Sequence, residues 1–424
     1  VAVTLGAKSF TKVVAKSETA FGTAAAFADG AGELLHTDIV GIVDPGVSVD
    51  LAEDKSVGVR SKRVGASATI TAKAPVVTFS AAPISARNLP LAFDALATIT
   101  PTTSSTAKAV ATVAQTGTTV TITTSAAHGW TAGQVVTIVL TAGPAGYAAC
   151  NGTYVLATGS ASTFTYVTGT TQSITSGAAT GNAYDGTSFI NTFAYAPNQT
   201  DVDTLKTYSL YMTDGYQKFI IDGCVPTSIT VSADQSGLLQ MSSTWAGRAL
   251  STTSDSSTAV FASQPFIPGR LFGLKTQSSF ITDKAGASAT AYSTYITNWS
   301  LTLNPGVMPV QVLNGSTTNV NAGGVAYTSA LDGNLSLTVA SNSAADAAFP
   351  VSSIGSVKYV QVYGKDATGN GFWASVCGVV NNVSVIGSDQ DGMILNTVDL
   401  QLAYDQVSGK SILCWIDSPL GLRP

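Results

Sequence analysis

The chain has 424 residues, of which 45% are apolar and only 11% charged, against roughly 25% charged residues in an average soluble domain. It is long enough for two or three domains with sizeable cores, and its surface must be covered mostly by Ser, Thr, Asn, Gln, Gly and Ala, a composition of β-proteins that face copies of themselves and of secreted adhesins. The net charge of −5 argues against a phosphate-gripping protein, which needs clustered Lys and Arg, but a weakly negative wall would let a polyanion slide past.

Val1-Ala-Val-Thr-Leu-Gly lacks the basic start and long apolar stretch of a secretory signal. No apolar run approaches the ~18 residues of a membrane span. Cytoplasmic synthesis without a membrane anchor is therefore expected. Residues 1–35 read as an N-terminal arm. From residue 36 onward, short alternating runs are separated by Gly, Asn, Asp and Pro, as in Val47-Ser-Val-Asp-Leu51 and Ala68-Thr-Ile-Thr-Ala72. Period-two alternation of this length means strands with one buried face, so the expected fold is mainly β.

One helix is expected over residues 85–97, with Leu89, Phe93 and Leu96 at helical spacing, Ser85 as N-cap and Pro90 in the first turn. The segment 104–182 is almost free of charge. It carries Thr119-Val-Thr-Ile-Thr, His128-Gly-Trp-Thr-Ala-Gly-Gln-Val-Val136, Asn151-Gly-Thr-Tyr154 and Ser162-Thr-Phe-Thr-Tyr166. Four or five strand signals at hairpin spacing read as a small β-domain inserted between residues 36–103 and 183–250.

The chain then repeats itself. Gly223-Cys-Val-Pro-Thr-Ser-Ile-Thr-Val-Ser-Ala-Asp-Gln-Ser-Gly-Leu-Leu239 is echoed by Gly378-Val-Val-Asn-Asn-Val-Ser-Val-Ile-Gly-Ser-Asp-Gln-Asp-Gly-Met-Ile394. Lys206-Thr-Tyr-Ser-Leu-Tyr precedes the first copy as Val357-Lys-Tyr-Val-Gln-Val-Tyr precedes the second. Further upstream, Pro45-Gly-Val-Ser-Val-Asp-Leu51 is matched to Asn298-Trp-Ser-Leu-Thr-Leu303, and the small-residue segment 85–97 to 341–349. Residues 36–250 and 292–424 are thus expected to be two copies of one unit, joined by a connector over 251–291, with Asp234-Gln235 and Asp389-Gln390 at equivalent turns.

These residues together resemble the siphophage-type major tail tube proteins of long-tailed bacteriophages. Ser17-Glu-Thr-Ala-Phe-Gly-Thr23 is similar to that family's start, and Asp222-Gly-Cys-Val-Pro-Thr-Ser-Ile-Thr-Val-Ser with Thr244-Trp-Ala-Gly247 to its middle. Asn298-Trp-Ser-Leu-Thr-Leu-Asn-Pro with Gln311-Val-Leu-Asn-Gly-Ser316 follows in the family's order, and the insert resembles an immunoglobulin-like decoration module. The resemblance implies a β-sandwich whose inner sheet joins its neighbours into a closed barrel, stacked as rings into a tube crossed by double-stranded DNA. It also implies tape measure, terminator and distal tail proteins as partners. A duplicated unit implies three chains, instead of six, in a pseudo-hexameric ring.

Candidate sites for chemistry are sparse. His36 and His128 are the only histidines, Cys150, Cys224, Cys377 and Cys414 form no C-x-x-C pair, and Glu53 and Asp54 are adjacent and so face opposite ways on a strand. The Asp389-Gln-Asp-Gly392 and Asp214-Gly215 segments fall short of a calcium loop and read as hairpin turns. Neither catalysis nor a cofactor is expected. The concentrated charge lies in Glu53, Asp54 and Lys55, then Arg60, Lys62 and Arg63. This segment is either a solvated hairpin loop or, by the resemblance, a contact between stacked rings. The rival functional reading is a surface adhesin whose insert holds the specificity.

Overall fold

The computed structural model describes residues 12–27, 33–36, 41–44, 46–51, 68–97, 99, 102–103, 106–185, 190–198, 205–213, 217–253, 266–291, 296–310, 322–340, 348–384, 388–390 and 393–418. The fold is mainly β. In chain order the first strands are β1 (Lys12–Ser17), β2 (Glu33–His36), β3 (Gly41–Asp44), β4 (Val47–Leu51), β5 (Ala68–Lys73) and β6 (Val76–Pro83), followed by helix α1 (Leu89–Leu96). Next come β7 (Thr102–Thr103), β8 (Lys108–Thr124), β9 (Val135–Ala142), β10 (Gly152–Gly159), β11 (Thr163–Ala178), β12 (Thr180–Asp185) and β13 (Asn191–Tyr195). They are followed by β14 (Tyr208–Thr213), β15 (Lys218–Asp234), β16 (Gln240–Ala246), β17 (Ala249–Thr252), β18 (Phe272–Gln277), β19 (Thr290–Ala291) and β20 (Ile296–Asn304). The last are β21 (Val307–Val310), β22 (Gly324–Tyr327), β23 (Asp332–Ala340), β24 (Val357–Lys365), β25 (Gly371–Val383), β26 (Ser388–Gln390), β27 (Met393–Leu402) and β28 (Ile412–Ser418).

Two sets of strands pair in the same way. In the first, antiparallel neighbours run β3–β6–β16–β15; in the second, β20–β23–β27–β25. The long strands β15 and β25 each serve two sheets. Their first halves pair with β14 and β17, or with β24 and β28, while their second halves pair with β16 or β27. Even individual pairs recur, since Tyr208 stands opposite Cys224 and Tyr359 opposite Cys377. Beyond β14 lies β1 with β2, and beyond β24 lies β18 with β19. Residues 1–35 and 251–291, expected as arm and connector, therefore each contribute strands at matching places.

The matched hairpins also correct the sequence alignment. β3 continues into β4 past Gly46 (φ 58°), and β20 into β21 past Gly306 (φ 70°). At either glycine a Cβ would overlap a backbone carbonyl oxygen, of Ala74 or of Ser329, so only glycine fits these kinks. The true counterparts are Asp44-Pro-Gly-Val47 and Asn304-Pro-Gly-Val307. Val47–Leu51 answers to Val307–Val310, not to residues 298–303, which answer to β3. Asp234-Gln235 and Asp389-Gln390 do fall in the same connection, but the second connection is longer because β26 folds back on β27.

The two sets are joined edge to edge. The second half of β15 pairs with β20, from Ile229 opposite Leu303 to Asp234 opposite Asn298. One antiparallel sheet, β3–β6–β16–β15–β20–β23–β27–β25, results. On its covered face Trp245, Phe79, Leu301 and Leu337 are buried. Trp299 stacks on Phe372 with centroids 5.7 Å apart, and Phe372 lies 6.5 Å from Phe93 of α1.

The helix begins at Leu89, four residues later than expected. Ser85 closes a turn ahead of it, its hydroxyl accepting from the Asn88 N–H at 3.3 Å, and Asn88 occupies the cap position. All eight helical residues are buried, Asp94 included. Its carboxylate is satisfied by Lys206 Nζ at 2.9 Å, the Tyr208 hydroxyl at 2.5 Å and the Ile99 N–H at 3.0 Å. These bonds tie helix to strand and offset the desolvation of the charge.

Residues Pro101–Phe193 with Asp417–Gly421 form a second compact unit. Its strands close into a barrel of order β10–β11–β8–β12–β9. An immunoglobulin-like sandwich would keep two sheets with separate edges. Here β8 pairs first with β12 and then with β11, and β10 first with β9 and then with β11, so long strands turn both corners and no edge is left. The last barrel strand runs to Asp185, past the boundary expected at residue 182. The core holds Val113, Val120, Ile122, Phe164 and Tyr166, and Tyr166 donates to the Cys150 carbonyl at 2.7 Å.

Candidate assembly interface

Along the eight-stranded sheet, alternation sends apolar residues to the covered face and leaves the other face open. One cross-strand row on the open face runs Ser242, Thr230, Thr302, Asn334, Gln401, and the next runs Gln240, Ser232, Ser300, Ser336, Asp399, Asn382. Each of these residues is partly or fully exposed. Hydroxyls pair across the strands, Thr230 with Thr302 at 3.0 Å and Thr78 with Thr244 at 3.4 Å, and Ser336 donates to Asp399 at 2.6 Å. Charge on this face comes from Asp44, Asp234, Asp332 and Asp399. Among the described residues, β3, β6, β16, β20, β23, β25 and β27 hold no Lys or Arg, and β15 has none after Lys218.

The sheet ends in two edges. β3 pairs with β6 and with no other described strand. On β25, no described strand pairs with the far side beyond Val380, where Asn381 and Asn382 are exposed. The joint inside the chain is made by the strands that hold the corresponding places, β20 and β15.

A polar cage fastens the segment after β1. Glu18 accepts from the Gly223 N–H at 2.7 Å, the Ser209 and Thr207 hydroxyls at 2.8 Å and the Gly22 N–H at 3.0 Å. Beside it Arg248 pairs with Asp222 at 3.0 Å and donates to the Gly22 carbonyl. Gly22 needs its positive φ of 71°, and a Cβ there would strike the Arg248 guanidinium. The sequence pointed to Ser17–Thr23 by resemblance alone; the physical content is this carboxylate with its donors. Near the corresponding Tyr359–Cys377 pair Phe280, Leu413 and Trp415 pack together, and the Tyr359 hydroxyl donates to Asp405 at 3.1 Å.

The charged segment Glu53, Asp54, Lys55, Arg60, Lys62 and Arg63 lies outside the described residues, as does Asp214-Gly215; β4 and β5, which flank the charged segment, form an antiparallel pair. His36 is the last residue of β2. His128 is buried in the barrel, its Nδ1 accepting from the Trp130 N–H at 2.9 Å and its ring stacked on Trp130. Burial lowers its pKa below that of a free histidine, so the ring is neutral there. The four cysteines are all buried free thiols, and burial raises the pKa of each, Cys377 to about 11. Among the described residues no group of three or more His, Cys, Asp or Glu could hold a metal ion, and no helix is long and apolar enough to cross a membrane. No known protein family matches the chain, and no curated protein is similar to it in sequence.

Proposed function

We propose that the chain is a virion structural protein that polymerises into the tail tube of a long-tailed bacteriophage, a conduit for double-stranded DNA during ejection. The observation that carries this reading is the edge-to-edge joint of two like repeats in one sheet, which leaves at its two ends an edge of each kind that the joint uses. A head-to-tail contact of this sort closes into a ring when its rotation permits. Closure removes exposed strand edges that would otherwise aggregate. With two repeats in each chain, three chains make a pseudo-hexameric ring.

The open face suits a lumen wall. Hydroxyls and amides hydrogen-bond water without gripping phosphate, and the scattered aspartates repel a polyanion, so DNA passes without sticking. In this reading the protein is made in the bacterial cytoplasm, resides in the virion tail and catalyses nothing. Its further partners are the tape measure, terminator and distal tail proteins, and the segment carrying Arg60, Lys62 and Arg63 links one ring to the next.

Electron microscopy of the purified protein tests this. Hollow tubes of uniform bore are expected. Discrete particles of fixed size that bind a surface receptor would overturn the proposal in favour of the adhesin reading.

A further inference from the structure

We infer that the joint between neighbouring chains repeats the joint inside one chain in its register, so that Ile42 of one chain stands opposite Asn382 of the next. The inference rests on the tube reading and adds to it a strand pairing specified residue by residue.

The register follows from ladders already in the structure. Gly46 and Gly306 mark the same kink, so Ile42 and Thr302, each four residues before it, are counterparts. Ile42 stands opposite Thr78 as Thr302 stands opposite Asn334. Thr78 in turn faces Thr244, and Asn334 faces Gln401. Two residues earlier on those strands are Ser242 and Asp399, whose partners are Thr230 and Asn382. Thr230 and Asn382 are therefore counterparts as well. Inside the chain Thr230 faces Thr302. The same contact made between chains brings Asn382 to Ile42, and by the same steps Val383 to Gly41.

The surface is fit for a second copy of this chain. Asn382 is exposed, its side-chain amide donating to Asp399 at 3.4 Å. The backbone of β3 on the side away from β6, and that of β25 beyond Val380, are the two rows left for such a ladder. Directly opposed residues of an antiparallel pair have Cβ atoms about 5 Å apart, close enough for a short thiol cross-link. The native thiols are buried and give little background.

The test is the double variant Ile42→Cys/Asn382→Cys, assembled, treated with a short bis-maleimide, and run under denaturing conditions. Covalent dimers and trimers are expected, with the series stopping at three chains because a cross-linked ring has no free end. Either single variant gives monomer only. Thr230→Cys/Thr302→Cys serves as calibration, since its cross-link lies within one chain and yields no ladder. If tubes are visible by electron microscopy and the calibration pair reacts but Ile42→Cys/Asn382→Cys does not, the register is overturned while the tube reading stands. A series running well beyond three overturns closure at three chains. If no tubes form for the wild-type protein, the tube reading fails first.

Discussion

At Glu18 a single carboxylate gathers four donors from three separate stretches of chain. Bonds to an ionised acceptor are the strong ones, and removing it strands donors that are part-buried. Glu18→Ala is expected to cost about 2–4 kcal/mol, with Glu18→Gln intermediate, as read from urea unfolding midpoints. Phe280, buried against Cys377 and Tyr359, is the apolar anchor at the matching place, so Phe280→Ala is expected to lower the same midpoint. His128 gives a pH dependence of definite sign. Its folded pKa lies below the unfolded value, so the unfolded chain takes up the proton first. The stability it contributes is complete above the unfolded value of ~6.5 and is lost as pH falls through the folded pKa. Melting followed at pH 7 and again near pH 5 should show a larger loss for the wild type than for His128→Gln.

Strand existence was readable from alternation, because one face of each strand is buried and period two is then enforced by water. Element boundaries and pairings were less so. The helix start was misplaced because Ser85 does accept a hydrogen bond from Asn88, as a cap would, but in the turn before the helix. The repeat was legible where hairpin turns left Asp, Gln and Gly, and misaligned upstream, where the kink glycines carried the register and the strands around them had diverged. Barrel closure could not be read at all, since partner switching along β8 and β10 leaves no mark on composition. The barrel has its own core, from Val110 to Ala183. Deleting residues 104–185 with a short linker should therefore leave polymerisation intact in the proposed tube; a folded, soluble chain that no longer forms tubes would make the barrel part of the contact.

For the whole molecule, charge is scarce enough that its placement matters. The proposed ring-to-ring contact puts Arg60, Lys62 and Arg63 against acidic groups of the adjacent ring. An exposed ion pair is worth only about 0–1 kcal/mol, but repetition around a ring lets several such pairs set register. Replacing the three together (Arg60→Glu, Lys62→Glu, Arg63→Glu) should leave rings or folded monomers in place of long tubes, whereas tubes of normal length and salt resistance would return the segment to a solvated loop. The candidate site was only partly visible in advance. The sequence showed a chain poor in charge, but the absence of Lys and Arg among the described strands of one continuous face emerges only when distant strands are set side by side.

Because β15 pairs with β20 within a single polypeptide, the subunit of the proposed ring would be eight strands wide. With adjacent strands about 4.8 Å apart, adding or losing one subunit changes the circumference by roughly 40 Å and the diameter by ~12 Å. A closed ring made from such wide tiles has no near neighbours in size. In the proposed tube, covalent duplication would thus act as a gauge, coarse in its steps and for that reason faithful, on the calibre of what the chains enclose.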